Sequence, residues 1–412
     1  MTDAQTGFET TFDDVKARRN AFVLAAAQAI GGAVAPINIA VSALAGSVLL
    51  GANQILATAP VTAFVVGTAA GAVPAALLMR RLGRRMGAIL GMFIGAAGGL
   101  LAADAMVVHL FPLLVAACFL MGFASAFVQQ FRFAAADTAS PAFRPKAISW
   151  VLAGGVVSAI VGPQAVIHFG DVFAPVPFAG AFVAAAGLSL AGALILVFLD
   201  APRPTVSRDR TAGRPLGAIA RQPRFILAVT CAVVTYALMN LVMTAAPLAM
   251  VHHGHHHSEA ALGIQWHVLA MFAPSFFTGN LIARFGADAI VGAGLLLLIA
   301  CSLVALTGVD LMQFWSALVL LGVGWNLGFI GGTTMLAETY RPEEKERVQA
   351  LNDLLVFGFV ALASLASGGL LVGGGWSAVN MMVLPIAGAC LLAVVLAAVR
   401  RRTGVAVDPG TP

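Results

Sequence analysis

The chain has 412 residues, of which 60% are hydrophobic and only 10% charged, and its formal net charge is +5; mean hydropathy is +0.94. A soluble domain carries about 25% charged residues. This composition therefore excludes disorder, fibrous repeats and nucleic-acid binding, leaves little room for a soluble enzyme, and requires a polytopic membrane protein, most simply a helical one.

Residues 1–19 are polar, with Asp3, Glu9, Asp13 and Asp14. They lack the basic start, short apolar core and small-residue cleavage site of a signal peptide. A membrane span needs about 20 apolar residues. That ruler predicts twelve spans, at 20–44, 53–79, 86–107, 111–136, 147–169, 176–199, 225–250, 262–283, 289–308, 313–336, 351–372 and 377–399. The expected fold class is an all-α membrane protein, with twelve transmembrane helices in two pseudo-symmetric six-helix bundles. The predicted organisation is a cytoplasmic tail (1–19), an N-terminal bundle (20–199), a central loop (200–224), a C-terminal bundle (225–399) and a C-terminal tail (400–412).

Basic residues orient such a chain, because lysine and arginine concentrate in cytoplasmic connections. Here they occupy alternate connections: Lys16 to Arg19, Arg80 to Arg85, Arg144 and Lys146, six arginines between 203 and 224, Arg284, Arg341 to Arg347, and Arg400 to Arg402. The other connections carry none, which predicts two cytoplasmic termini. Arg132 alone falls within a span and is expected to snorkel or to pair with Asp137. Cys118, Cys231, Cys301 and Cys390 stand far apart in apolar stretches and read as core residues, not as a disulfide framework.

The two halves match in sequence. Arg81 and Gly83 align with Arg284 and Gly286, each pair 203 residues apart. Parallel six-span repeats predict a transporter with its site near mid-membrane between them. The run Arg81-x-Gly83-Arg84-Arg85 after the second span resembles the signature loop of the major facilitator superfamily. Two positions depart from that pattern: Arg80 stands where the family has an acidic residue, and Ala76 where it has glycine. Gly87, Gly91, Gly95 and Gly99 line one face of the third span, a spacing that lets helices approach closely.

Ionisable residues within spans are few, and no nucleophilic triad or phosphate-cradling loop is present, so no enzyme and no cofactor are expected. The seventh span instead carries Met239 and Met243, and the eighth His267 and Met271, each pair spaced i, i+4 on one helix face. At 1.5 Å per residue, Met243 and His267 lie roughly 10 Å below the turn joining these spans, and Met239 and Met271 roughly 15 Å below it. Two rungs of soft donors suit copper and not a hard cation. Methionines that simply fill the core and a histidine bonded to a carbonyl would leave the same pattern. His252, His253, His255, His256 and His257 crowd the turn above and are expected to form a loose metal-collecting mouth. Cys231, two turns below Met239, is either a relay on the cytoplasmic side or a packed thiol.

The paired motifs Met239-x-x-x-Met243 and His267-x-x-x-Met271, with the tract Ala270 to Gly279, resemble CcoA-type copper importers over the whole twelve-span chain. That resemblance implies a bacterial inner-membrane importer with Met239, Met243, His267 and Met271 as ligands. Copper would be cargo, delivered through copper chaperones to cbb-type cytochrome c oxidase assembly. The expected partners are copper and the lipid bilayer, with no nucleic acid. Riboflavin transporters belong to the same group and lack the methionine and histidine pairs, so riboflavin or another small organic solute is the alternative cargo. Phe, Trp and Tyr total only 8%, and few stand at presumed mid-depth in the second half, so a flat ring is expected to find few stacking partners.

Overall fold

The computed structural model describes residues 14–140, 143–201 and 213–402. Most of the polar N-terminal tail, the stretch 202–212 of the central loop and the end of the C-terminal tail lie outside the described residues. Among the described residues every regular element is helical. The spans are α1 (Asp14–Gly31 continued by Val34–Leu50), α2 (Ala59–Arg81), α3 (Arg84–Val107), α4 (Phe111–Gln129 continued by Phe131–Thr138), α5 (Arg144–Phe169) and α6 (Ala179–Leu196). After the central segment come α7 (Pro223–His252), α8 (His257–Phe272 continued by Ser275–Phe285), α9 (Ala287–Leu306) and α10 (Leu311–Ala337).

The remaining helical run, Lys345–Arg402, has 58 residues. At 1.5 Å per residue it would extend about 87 Å, against a hydrocarbon core of about 30 Å. It turns back at Gly375, whose φ of 68° and ψ of −168° leave the helical region and suit a residue without Cβ. The run is therefore two helices, α11 (345–374) and α12 (376–402), and the chain crosses twelve times. Its far end confirms the reversal: Arg401 pairs with Asp288 at the start of α9, where Arg224 bridges the same Asp288 to Glu338 at the end of α10.

Proline explains the interrupted spans. Pro36 has no N–H for the carbonyl four residues earlier, and α1 breaks at Gly32–Ala33. Pro274 does the same in α8, whose two pieces bend by 43°. Glycine sets the closest helix approaches. A Cβ on Gly294 of α9 would stand 2.5 Å from the Gly328 nitrogen of α10. The α3 glycines pack inside their own half, Gly91 on Phe127 and Gly99 on the Ala186 backbone.

Two faces are distinct. The basic face carries the arginine-bearing connections, and the histidine face carries the turn at 252–257. On the basic face Arg84 pairs with Asp137, so Asp137 is not the partner of Arg132, whose guanidinium lies 4.8 Å from the Phe133 ring centre. Arg214 of the central segment binds Glu344 through its guanidinium and backbone N–H. The Arg214 guanidinium and the neighbouring backbone N–H groups hold that carboxyl well below the usual carboxylate range.

The halves join near the histidine face. Gln164 of α5 donates to Gln265 of α8 at 2.9 Å, and Thr62 of α2 to Ser364 of α11 at 3.0 Å. His257 lies 3.3 Å from Asp171 and edge-on to Phe178. Toward the basic face Arg132 of α4 and Asp353 of α11 are exposed. The contacts between the halves thus include a set that closes the histidine face.

Candidate substrate site

The second half is organised around α10. Its Gly322 lets α8 come so close that an added Cβ would meet the His267 carbonyl oxygen at 2.5 Å. That contact brings His267 Nδ1 to 2.8 Å from the Leu318 carbonyl. A carbonyl only accepts, so Nδ1 carries the proton and Nε2 is left as a bare lone pair. His267 is fully buried, and Nε2 has no partner. Locking one ring nitrogen on a backbone carbonyl is how metal-binding histidines are commonly oriented.

Met239, Met243 and Met271 are buried in one apolar cluster. On α7, Thr235, Met239 and Met243 follow at four-residue intervals along one face. Thr235 meets α10 at Gly328. His267 and Met271 meet α10 at Leu318 and Gly322. His267 thus turns toward α10, which spacing along α8 alone does not reveal.

The histidine turn is divided among separate tasks. His255 Nε2 bonds the Val309 carbonyl at 2.8 Å. His256 caps α8, accepting from the Ser258 N–H while Glu259 reaches back to its own N–H. His257 faces Asp171. His252 and His253 pack on each other, and burial, with His252 and His255 beside it, lowers the His253 pKa. Among the described residues no three His, Cys, Asp or Glu side chains form a metal-binding group. The five rings expected to collect metal are thus engaged in capping the helix, closing the face and packing on one another. Cys231 turns to α12, its Sγ 3.8 Å from that of Cys390, and all four cysteines are free and buried.

A second feature overturns an expectation. Five aromatic rings meet at mid-depth in the second half. Trp325 and Phe329 of α10 are stacked, 5.3 Å apart and 11° from parallel. Tyr236 of α7 stands edge-on to both, at 5.3 and 5.1 Å. Phe272 of α8 is edge-on to Trp325 at 6.4 Å, and Phe357 of α11 lies 6.0 Å from Tyr236. Tyr236, Phe329 and Val65 of α2 all pack against Ala232, Val356 and Val360, so the group reaches the other half. Trp325 is about 20 Å from either end of α10. Four helices supply these rings, so no local stretch looks aromatic; the only sequence signal is the i, i+4 pair Trp325 and Phe329. A groove of about 770 Å³ is lined by α5, α6 and the turn between them and belongs to neither set of residues.

Comparison with known proteins places this geometry. The chain is 47% identical over 388 residues to the riboflavin transporter RfnT of Brucella anthropi, covering 93% of this chain and 97% of that one. It is 30% identical over 381 residues to the MFS-type transporter YdeG of Bacillus subtilis, covering 89% and 88%. Solved structures share the fold: the nucleoside transporter NupG, with a TM-score of 0.71 at 11% identity over 93% of this chain and 98% of that one, and a POT family transporter, with 0.72 at 12% identity over 97% and 98%. The model of the Major Facilitator Superfamily matches residues 20–265 and 228–412. Twelve crossings and this match over nearly the whole chain make it a multi-pass membrane transporter, not an enzyme, and a member of the major facilitator superfamily.

Proposed function

We propose that the chain carries riboflavin, or a solute with the same flat heteroaromatic ring, across the bacterial inner membrane by alternating access, with both chain ends in the cytoplasm. One observation carries this reading: five aromatic rings gather at mid-depth where α7, α8, α10 and α11 approach α2 of the other half. Flat rings bind by stacking and edge contacts of this kind. The relative at 47% identity, named as a riboflavin transporter, supports the same cargo. The orientation is supported by lysine and arginine in alternate connections.

A second reading is favoured by His267. Its bare, buried Nε2, on the same helix as Met271, which shares one buried cluster with Met239 and Met243, suits a soft metal. In that reading the cargo is copper, held by Met239, Met243, His267 and Met271 and passed to copper chaperones for cbb-type cytochrome c oxidase assembly. Uptake of labelled riboflavin and labelled copper into cells lacking their own carriers separates the two. Riboflavin uptake well above the empty-vector level, with copper at background, is the expected result. Copper uptake that His267→Ala and Met239→Ala abolish at unchanged protein abundance, without riboflavin uptake, would put the second reading in its place.

A further inference from the structure

The aromatic group contains a donor with nothing to donate to. Trp325 is 8% exposed, and its Nε1 is buried without a partner. An unpaired buried donor is costly and calls for an explanation. By contrast, Trp315 donates to the Glu259 carbonyl at 3.1 Å. Trp376 also leaves Nε1 unpaired, but it stacks on Phe314 beside the α11–α12 turn, away from the mid-depth group.

Its neighbours give the Trp325 ring a direction. Phe329 lies parallel to it, while Tyr236 and Phe272 stand edge-on. Offset stacks extend readily to another flat ring, and edge-on rings act as side walls. Centroids 5.3 Å apart leave part of the Phe329 face uncovered, and a flat ring seated there lies edge to edge with the indole, in the plane of its N–H. The complementary edge is a carbonyl acceptor, and an isoalloxazine carries two, on either side of a ring N–H.

We propose that Trp325 is the specificity-determining contact of this transporter, donating its in-plane Nε1–H to one carbonyl at the edge of a flavin-like ring that stacks on Phe329 beside it. This rests on the riboflavin reading above. It adds the residue, the atom and the acceptor. No covalent step is involved. A site built around such a donor discriminates against solutes that are flat but lack an acceptor at that edge.

The test uses the full purified chain in lipid nanodiscs, titrated into riboflavin and followed by the quenching of flavin fluorescence. Trp325→Phe keeps a flat ring and removes only the donor, and about tenfold weaker binding is expected from the loss of one hydrogen bond. Trp376→Phe removes the other unpaired indole N–H and is expected to bind as the unaltered chain does. A second measurement needs no variant. The unaltered chain is titrated with 2-thioriboflavin and 4-thioriboflavin, whose sulfur is a poorer acceptor, and one of the two is expected to bind several-fold more weakly than riboflavin. Equal binding of all three flavins, or unchanged riboflavin affinity in Trp325→Phe, overturns the role of Trp325 and leaves the riboflavin reading standing. No riboflavin binding by the unaltered chain overturns both.

Discussion

His267 and Gly322 depend on each other across 55 residues of sequence. The imidazole is oriented by the Leu318 carbonyl, and α8 reaches that carbonyl only because Gly322 has no side chain. A Cβ there would stand 2.5 Å from the His267 carbonyl oxygen and 3.0 Å from the Met271 nitrogen, both backbone atoms that cannot swing aside. Gly322→Ala is therefore expected to push α8 off α10 and to destabilise the protein by about 1–3 kcal/mol, the usual cost of overpacking. Gly187→Ala on α6, where nothing lies within 4 Å of the added Cβ, serves as the control. Thermal unfolding of both variants in detergent checks this, and equal melting temperatures would contradict it. At this scale the methionine and histidine pairs were legible, because i, i+4 spacing is a local property. The Leu318 bond that orients the imidazole was not, since it arises from a contact between helices that no spacing encodes.

Helix α8 shows how one polar side chain holds a broken span together. Pro274 removes an N–H and interrupts the hydrogen-bond ladder. Asn326 of α10 fills the gap: its Nδ2 donates to the Met271 carbonyl and to Ser275 Oγ, each at 2.6 Å, while its Oδ1 accepts from Thr278 Oγ1 at 2.6 Å. Asn326 and Thr278 are fully buried. Asn326→Leu would leave the carbonyl and two hydroxyls to find other partners away from water. A loss of about 1–3 kcal/mol per stranded group is expected, read as a lower melting temperature and poorer recovery of folded protein. Thr278→Val removes one of the three bonds and strands only the Asn326 Oδ1, so it should cost less. The number of spans was legible from apolar length. The break in α8 was not, because proline is tolerated in membrane helices when neighbours satisfy the freed groups. Pro163, Pro247 and Pro385 lie inside helices of this chain with no comparable break. The aromatic group escaped for a related reason: Tyr236, Phe272, Trp325, Phe329 and Phe357 come from four helices, and composition averages them away.

For the whole molecule, three polar contacts between the halves lie toward the histidine face. Gln164 to Gln265, Thr62 to Ser364 and His257 to Asp171 are each a single bond or ion pair. Single polar contacts of this size contribute about 0.5–1.5 kcal/mol each, which suits a face that must open and reclose. The aromatic group lies deeper, and solute reaching it from the histidine face needs these contacts to part. If the halves rock about the central segment, tying that face shut must stop transport without touching the substrate site. The double substitution Gln164→Cys and Gln265→Cys puts a reactive pair where a 2.9 Å hydrogen bond now stands. The four native thiols are buried, so a short, reducible thiosulfonate cross-linker will act mainly on the new pair. Uptake of labelled riboflavin is expected to fall to background on cross-linking and to return on reduction, while either single substitution keeps transporting after the same treatment. Uptake that continues at high cross-linking yield would mean that solute reaches the aromatic group without separation of α5 from α8. The closed histidine face would then be a fixed wall and not the moving gate.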